Sequence, residues 1–472
     1  MLCLGPLSTA NKSFEPTPLR GSNSAFRSSH MSMATRDIIS DSTKLTLAIR
    51  AALSLKAGAR SLSFAALITA SLIVNAPATS APAGDRDLEA VRRVGDLRFE
   101  RRHAWSIVAS LASSASYRSK ATFESWYGEG EVFAANGVNM PPKGIRGFSR
   151  PVATTGSADP DASQSAGAPA LTYTLYNEAA YNHIRRNHLY DSAQLERLRV
   201  NGAADSATLS DRTVPSFPRD SIVVKTIWWP VAPQGVTALP VWDPETNPPR
   251  REGNGYLTWA RIVVVDPSEG SRADAASQVE FAGRLFANAR RISLGEFYHI
   301  SVDDRMAEDM MRDPETKKAA VIALGRPMRA GDYLILVAGN LATREISDWI
   351  WVAFWWHDRP ERGAFAADRP DVLQDEWRNY LLQVAFDSET PAAGDGGPHV
   401  CFNPWLEARF RDAGQGGGAV SNCMTCHRRA SYPPIGYLPV TRGVSNSASD
   451  PAFAAGRLRT SFLWSLAIHA LP

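Results

Sequence analysis

The sequence predicts an α+β fold, helices and sheet mixed in one compact unit, with a strand-rich central region and a functional site near the C-terminus. Three observations lead there. Apolar residues recur at helical spacing over much of residues 79–220; from about Ser221 the pattern turns to runs of Val, Ile, Trp and Tyr bounded by Gly, Pro and Asp; and two cysteines and a histidine cluster at Cys423, Cys426 and His427. The 472 residues are 44% hydrophobic and 21% charged with 13 tryptophans, a composition able to bury a sizeable core. A net charge of +3, with no block of like charge and no basic stripe among aromatics, argues for neither a nucleic acid nor a strongly acidic partner.

The first 45 residues are rich in Ser, Thr, Asn and Pro without apolar period and read as a disordered lead. In "KAGARSLSFAALITASLIVNAPATSAPAGD", Lys56 and Arg60 precede an apolar run from Leu62 to Val74, and Ala76-Pro77-Ala78 or Ala81-Pro82-Ala83 offers a small-residue cleavage site. The run is shorter than the roughly 20 residues that span a bilayer, so this order reads as a secretory signal, with an uncleaved anchor as the alternative. Residues 1–78 are therefore taken as lead plus signal, with Met31 and Met33 as alternative starts, and the mature chain as periplasmic or secreted.

Residues 86–118 carry one or two helices, "PVATTGSADPDASQSAGAPA" is a loop, and "YNEAAYNHIRRNHLYDSAQLERLRV" reads as one helix, making 79–220 mainly helical. Residues 221–472 open with "SIVVKTIWWPV", "GYLTWARIVVVD" and "GDYLILVAGNLATREISDWIWVAFWWH", strands apolar on both faces. "SLGEFYHISVDDRMAEDMMRD" and "DVLQDEWRNYLLQVAFD" read as helices, and a Gly- and Pro-rich segment leads to the motif. No internal repeat is present.

"SNCMTCHRRASYP" (Ser421–Pro433) holds the densest chemistry. In C-x-x-C-H, two thiols one helical turn apart can both bond the vinyl edge of a porphyrin, and the next residue brings its imidazole beneath the iron. Cys423 and Cys426 then hold one covalent haem c and His427 is the proximal ligand. A thioredoxin-like redox pair would open a helix after a strand within a βαβ unit, and a glycine-rich loop stands there instead. The live alternative is zinc on His399, Cys401, Cys423 and Cys426, which uses the remaining cysteine and leaves His427 incidental. Under that reading the chain is an extracytoplasmic binding module, with the tryptophans at 349, 351 and 355 as an aromatic ligand surface.

Cys423-Met424-Thr425-Cys426-His427 resembles the haem-attachment motif of c-type cytochromes. "SNCMTCHRRASYP", "FNPWLEARF" and "DWIWVAFWWHDRP" resemble, over the C-terminal third, large secreted bacterial monohaem cytochrome-c-like proteins of unknown function. The resemblance implies haem and a redox partner protein, hence electron transfer or haem-dependent oxidoreductase chemistry, and no substrate. Small cytochromes place the motif early and a methionine ligand after it, whereas no methionine follows His427. A sixth ligand would come from His357 or His399, with His299, His469, Met328 and Met140 as further candidates.

Side chains at 349, 351 and 355 share one strand face, and burial on both faces is the favoured reading for them. Glu124, Glu129 and Glu131 read as a solvated face rather than acid–base partners. His183 and His188, five apart on a helix, are spaced poorly for joint metal ligation and read as structural.

Overall fold

The computed structural model describes residue 88 and residues 95–115, 120–135, 152–154, 169–205, 212–243, 255–268, 276–373, 375–386, 401–407, 422–434 and 456–470. The segment read as a secretory signal, His399 and Met140 lie outside them. The described residues all fall in one compact unit of helices and sheets, an α+β fold. No described helix is long and apolar enough to cross a membrane.

Helix α1 (Leu97–Ala112) starts where the Asp96 carboxylate accepts the Phe99 N–H at 3.0 Å, and it buries Ala104, Trp105, Val108 and Leu111 along one face. Strand β1 (Ala170–Tyr176) then runs into α2 (Glu178–Arg186), capped by Asn177, and α3 (Ser192–Asp205) follows. The single helix expected over residues 176–200 is thus two helices after a strand. His188, at φ 53°, takes a left-handed conformation that an α-helix cannot continue through.

Strands β2 (Ile222–Val231), β3 (Thr237–Val241) and β4 (Arg261–Asp266) come next, then the hairpin β5 (Ala276–Phe281) and β6 (Arg284–Ser293). A short β7 (His299–Ser301) leads to α4 (Asp304–Met311) and α5 (Pro314–Leu324). Of the helix expected over Ser293–Asp313, only α4 forms. The long apolar run splits into the hairpin β8 (Tyr333–Thr343) and β9 (Ile350–Trp356). "DVLQDEWRNYLLQVAFD", expected to be a helix, is instead a 3₁₀ turn over Asp375–Asn379 and the strand β10 (Tyr380–Ala385). Every residue of β10 is buried against β9 and the cores on either side, and that packing outweighs the helix-forming Leu and Gln. The last elements are α6 (Cys423–His427) and α7 (Trp464–His469).

Hydrogen bonding orders the main sheet β10-β9-β8-β2-β1, with β7 on the free end of β8, and Tyr127–Gly128 and Val152–Thr154 on β1. The strand β1, from the segment expected to be mainly helical, is therefore part of the same sheet as residues 222–385. A second sheet has the order β3-β4-β6-β5, with β4 and β6 parallel. The larger core takes side chains from both faces of the main sheet and includes Trp105, Trp228 and Phe354. Trp355 joins that core too, ringed by Trp242, Phe365 and Phe402. A smaller core groups Val223, Ala342, Trp351 and Ala353 with Cys401, Cys423, Met424 and Leu466. Trp349, Trp351 and Trp355 are all buried, as the both-faces reading expects.

Gly339 in β8 lies opposite Phe354 in β9, and a Cβ built on it would come within 2.3 Å of the Phe354 ring. Gly339→Ala therefore overpacks the core and is expected to destabilise the chain by about 1–3 kcal/mol, read from urea unfolding. The same substitution beside Phe354→Leu, where the clash is relieved, should cost less than the sum of the two changes.

Candidate functional site

Helix α6 is short and held from both sides. The Asn422 side chain caps it by accepting the Met424 N–H at 2.9 Å, and the Cys423 N–H donates to the Cys401 carbonyl at 2.9 Å. After α6 the chain pairs Ser431–Tyr432 with Leu458–Arg459, and the Thr460 N–H donates to the Ala430 carbonyl. These bonds bring Phe462 and α7 back over the motif.

The Phe462 carbonyl lies 2.7 Å from His427 Nδ1. A carbonyl only accepts, so Nδ1 carries the hydrogen and the neutral ring keeps Nε2 as its lone-pair nitrogen. Trp351 packs on the imidazole with ring centroids 4.1 Å apart. Burial, aided by the Lys225 ammonium, pushes the His427 pKa down from 6.5 to about 4. Between those values the unfolded chain binds a proton that the folded chain does not, so stability falls as pH drops through that window. This group's contribution is expected to be about 3 kcal/mol lost from pH 7 to pH 4. Urea midpoints measured across that range for wild type and His427→Gln isolate it, since the variant should lack that part of the slope.

His427 borders a cavity of about 190 Å³. Its floor is the sheet, where cross-strand neighbours Thr174, Lys225 and Asn340 form one row and Val223, Ala342 and Trp351 the next. Small Ala342 leaves space between larger neighbours, and Trp464, Ser465, Ile468 and His469 of α7 close the other side with Leu463. Glu129 completes the lining, its Oε1 3.6 Å from His469 Nε2. Burial raises the Glu129 carboxyl, but the His469 ring, the Lys225 ammonium and the Thr174 hydroxyl outweigh it and bring the carboxyl below its usual value.

The motif's first thiol turns elsewhere. Cys423 Sγ lies 3.2 Å from the Cys401 carbonyl, 3.9 Å from Cys401 Sγ and 3.9 Å from Glu407 Oε1. Cys401 Sγ in turn lies 3.9 Å from the Trp351 carbonyl. The hydrogen bond with Cys401, then burial, pushes the Cys423 pKa well up, so the group is a thiol. Burial also pushes the Glu407 carboxyl up to about 8, although the residue as a whole keeps some exposure. Cys426 is partly exposed, and neither Cys423 nor Cys426 lines the His427 cavity.

Of the zinc set proposed from sequence, Cys401 and Cys423 are brought together and His399 lies outside the described residues. Among the described residues no group of three or more His, Cys, Asp or Glu is arranged to hold a metal. His357 sits in a buried charge network, its Nδ1 accepting the Arg359 N–H while Arg261 bridges Asp243 and Asp358. It does not line the His427 cavity, nor do His299, bonded to the Phe297 carbonyl, and Met328, in the larger core. His469 does line it. His183 is bonded to the Pro215 carbonyl and His188 to Tyr190, in keeping with structural roles.

The glutamates differ from the solvated face expected of them. Glu124 is buried and accepts the Tyr298 hydroxyl, Glu129 lines the cavity, and Glu131 accepts the Gly128 N–H at 2.8 Å. Elements of a single turn have no period from which burial can be read. Lys225, Asn340, Ser465 and Glu407 were not singled out in the sequence; only their strand register and the return of the C-terminal segment bring them here. Comparison with known proteins finds no matching family model, no matching curated protein and no matching solved structure.

Proposed function

We propose that this chain is an exported monohaem c-type protein, with Cys423 and Cys426 bonded to the porphyrin and His427 ligating its iron. The observation that carries the reading is the state of His427: a neutral imidazole whose Nδ1–H is anchored on the Phe462 carbonyl, which leaves Nε2 as a donor. Axial histidines need that tautomer, and a bond to a backbone carbonyl is the usual way to secure it. Positions 423, 426 and 427 also share one face of α6, as i, i+3 and i+4.

Haem, when bound, supplies a one-electron couple at iron. The chain's own contribution is to hold the imidazole, to keep water from its ring with Trp351, and to set the charge around it through Lys225 and Glu129. His469 is the histidine that shares the cavity, and so the residue that would supply a second ligand to the iron. At 190 Å³ the cavity suits a ligand of a few heavy atoms, so a porphyrin needs the α6 face and its surroundings as well. For Cys423 to form a thioether, its side chain must turn away from Cys401. The expected role is electron transfer with a redox partner protein.

The test is an absorption spectrum of the protein from a host that attaches haem c, oxidised and then reduced with dithionite. A Soret band, a sharp reduced α-band and haem surviving denaturation support the reading. A colourless protein containing zinc overturns it in favour of the His399, Cys401, Cys423 and Cys426 site.

A further inference from the structure

Cys401 has no part in the haem reading, yet it is built against the one thiol that reading most depends on. The backbones are joined by a bridge between Cys401 and Asn422 and by the Cys423 N–H on the Cys401 carbonyl. These bonds fix the two residues side by side whatever their side chains do. The sulfurs are in van der Waals contact at 3.9 Å, and rotation of the two side chains is all that closes such a gap to the ~2.05 Å of a bond. No disulfide joins any pair of Cys401, Cys423 and Cys426.

We propose that Cys401 and Cys423 form a reversible disulfide that withholds Cys423 from the porphyrin. The second half of that statement rests on the haem reading; the first does not. Both thiols are buried, whereas Cys426 is partly exposed, so an oxidant reaches the site through Cys426. A small disulfide such as oxidised glutathione forms a mixed disulfide with Cys426 and releases one glutathione thiol. Cys423 displaces the second glutathione, giving Cys423–Cys426 and losing its proton, for which Glu407 Oε1 at 3.9 Å is the placed acceptor. Cys401 then attacks Cys423 Sγ and returns Cys426 to the thiol. In sum, two protein thiols give up two electrons and two protons, and one glutathione disulfide becomes two thiols.

The disulfide locks the side-chain direction the structure already displays, with Cys423 turned from the His427 cavity. It leaves Cys426 as the single motif thiol. Reduction by a dithiol reverses it and frees Cys423.

The experiment starts with full-length, haem-free protein incubated with oxidised glutathione. Free thiols are then alkylated and the chain is digested with trypsin for mass mapping. Cys423 and Cys426 share one tryptic peptide and Cys401 lies on another, so the expected product is a cross-linked pair of peptides with Cys426 alkylated. Cys426→Ser confirms the partner, because prolonged oxidation should still yield the cross-link, more slowly. A loop within the motif peptide, with Cys401 alkylated, overturns the proposal, as does full alkylation of all three.

The second arm measures covalent haem per chain, with and without added reductant, in a haem-attaching host. Wild type without reductant is expected to carry haem through Cys426 alone, by one thioether, and through both thiols with reductant; Cys401→Ser and Cys401→Ala, in which oxidation stops at Cys423–Cys426, should carry none without reductant and two thioethers with it. Equal dependence on reductant in all three chains overturns the competition. Absence of haem in every chain, beside an intact cross-link, instead overturns the proposed cofactor.

Discussion

With both Cys423 and Cys426 replaced by serine, the chain is expected to lose all haem that survives denaturation, and its peroxidase stain on a gel should vanish. Either single replacement leaves one thioether and should give a weaker band with a red-shifted α-band. His427→Ala keeps both thiols and should retain covalent haem, but with an altered Soret band, since only the iron ligand is gone. That split separates attachment from ligation. A double variant that still stains would place the porphyrin elsewhere. Loss of metal on Cys401→Ser, matched by no change on His427→Ala, would favour zinc. The fold itself should tolerate the serines, which are close in volume to the thiols they replace.

Trp355→Ala is expected to have the largest effect on stability, about 3–5 kcal/mol, seen as a lower urea midpoint. The indole is fully buried, with edge contacts to Trp242 and Phe365 and a stacked ring in Phe402, centroids 5.6, 5.3 and 6.3 Å away. Its loss leaves a cavity between β9 and the segment beginning at Cys401, where neighbouring rings are too large to collapse inward. Trp355→Phe should recover much of the difference. Trp351→Ala, two turns of the pleat away, tests another thing: its ring covers His427, and its removal should expose the imidazole and bring its pKa back toward 6.5. NMR titration of His427 in the haem-free chain reads that shift directly. An unmoved pKa in Trp351→Ala would show that the ring is not what keeps water from the imidazole.

What could be read in the sequence follows from where the information lies. The motif is local, five residues with their chemistry in their spacing, and strands β2, β4, β8 and β9 announce themselves as long β-branched and aromatic runs. Residues 380–385 mislead because "YLLQVA" fits a short apolar strand as well as a buried helical turn, and only the ladder with β9 decides. The cavity was invisible for another reason. Thr174, Lys225 and Asn340 are neighbours only through the register of three strands, and nothing in any one segment records it. Cys401 stands out in the sequence only as a remaining cysteine, because its contact with Cys423 rests on backbone pairing between residues 401 and 422–423. The sheet that unites residues 170–176 with residues 222–385 likewise rests on long-range pairing.

The hydrogen bond from His427 to Phe462 has a consequence for biosynthesis. The acceptor that sets the imidazole tautomer is made 35 residues after the histidine itself. While the chain is still emerging, the motif can be complete and yet its histidine undirected, free to protonate near its ordinary pKa. Only when the last stretch has folded back is the hydrogen of the neutral ring held on Nδ1. A product that stops before Phe462 keeps its two thiols and its histidine but lacks the carbonyl that fixes the imidazole tautomer.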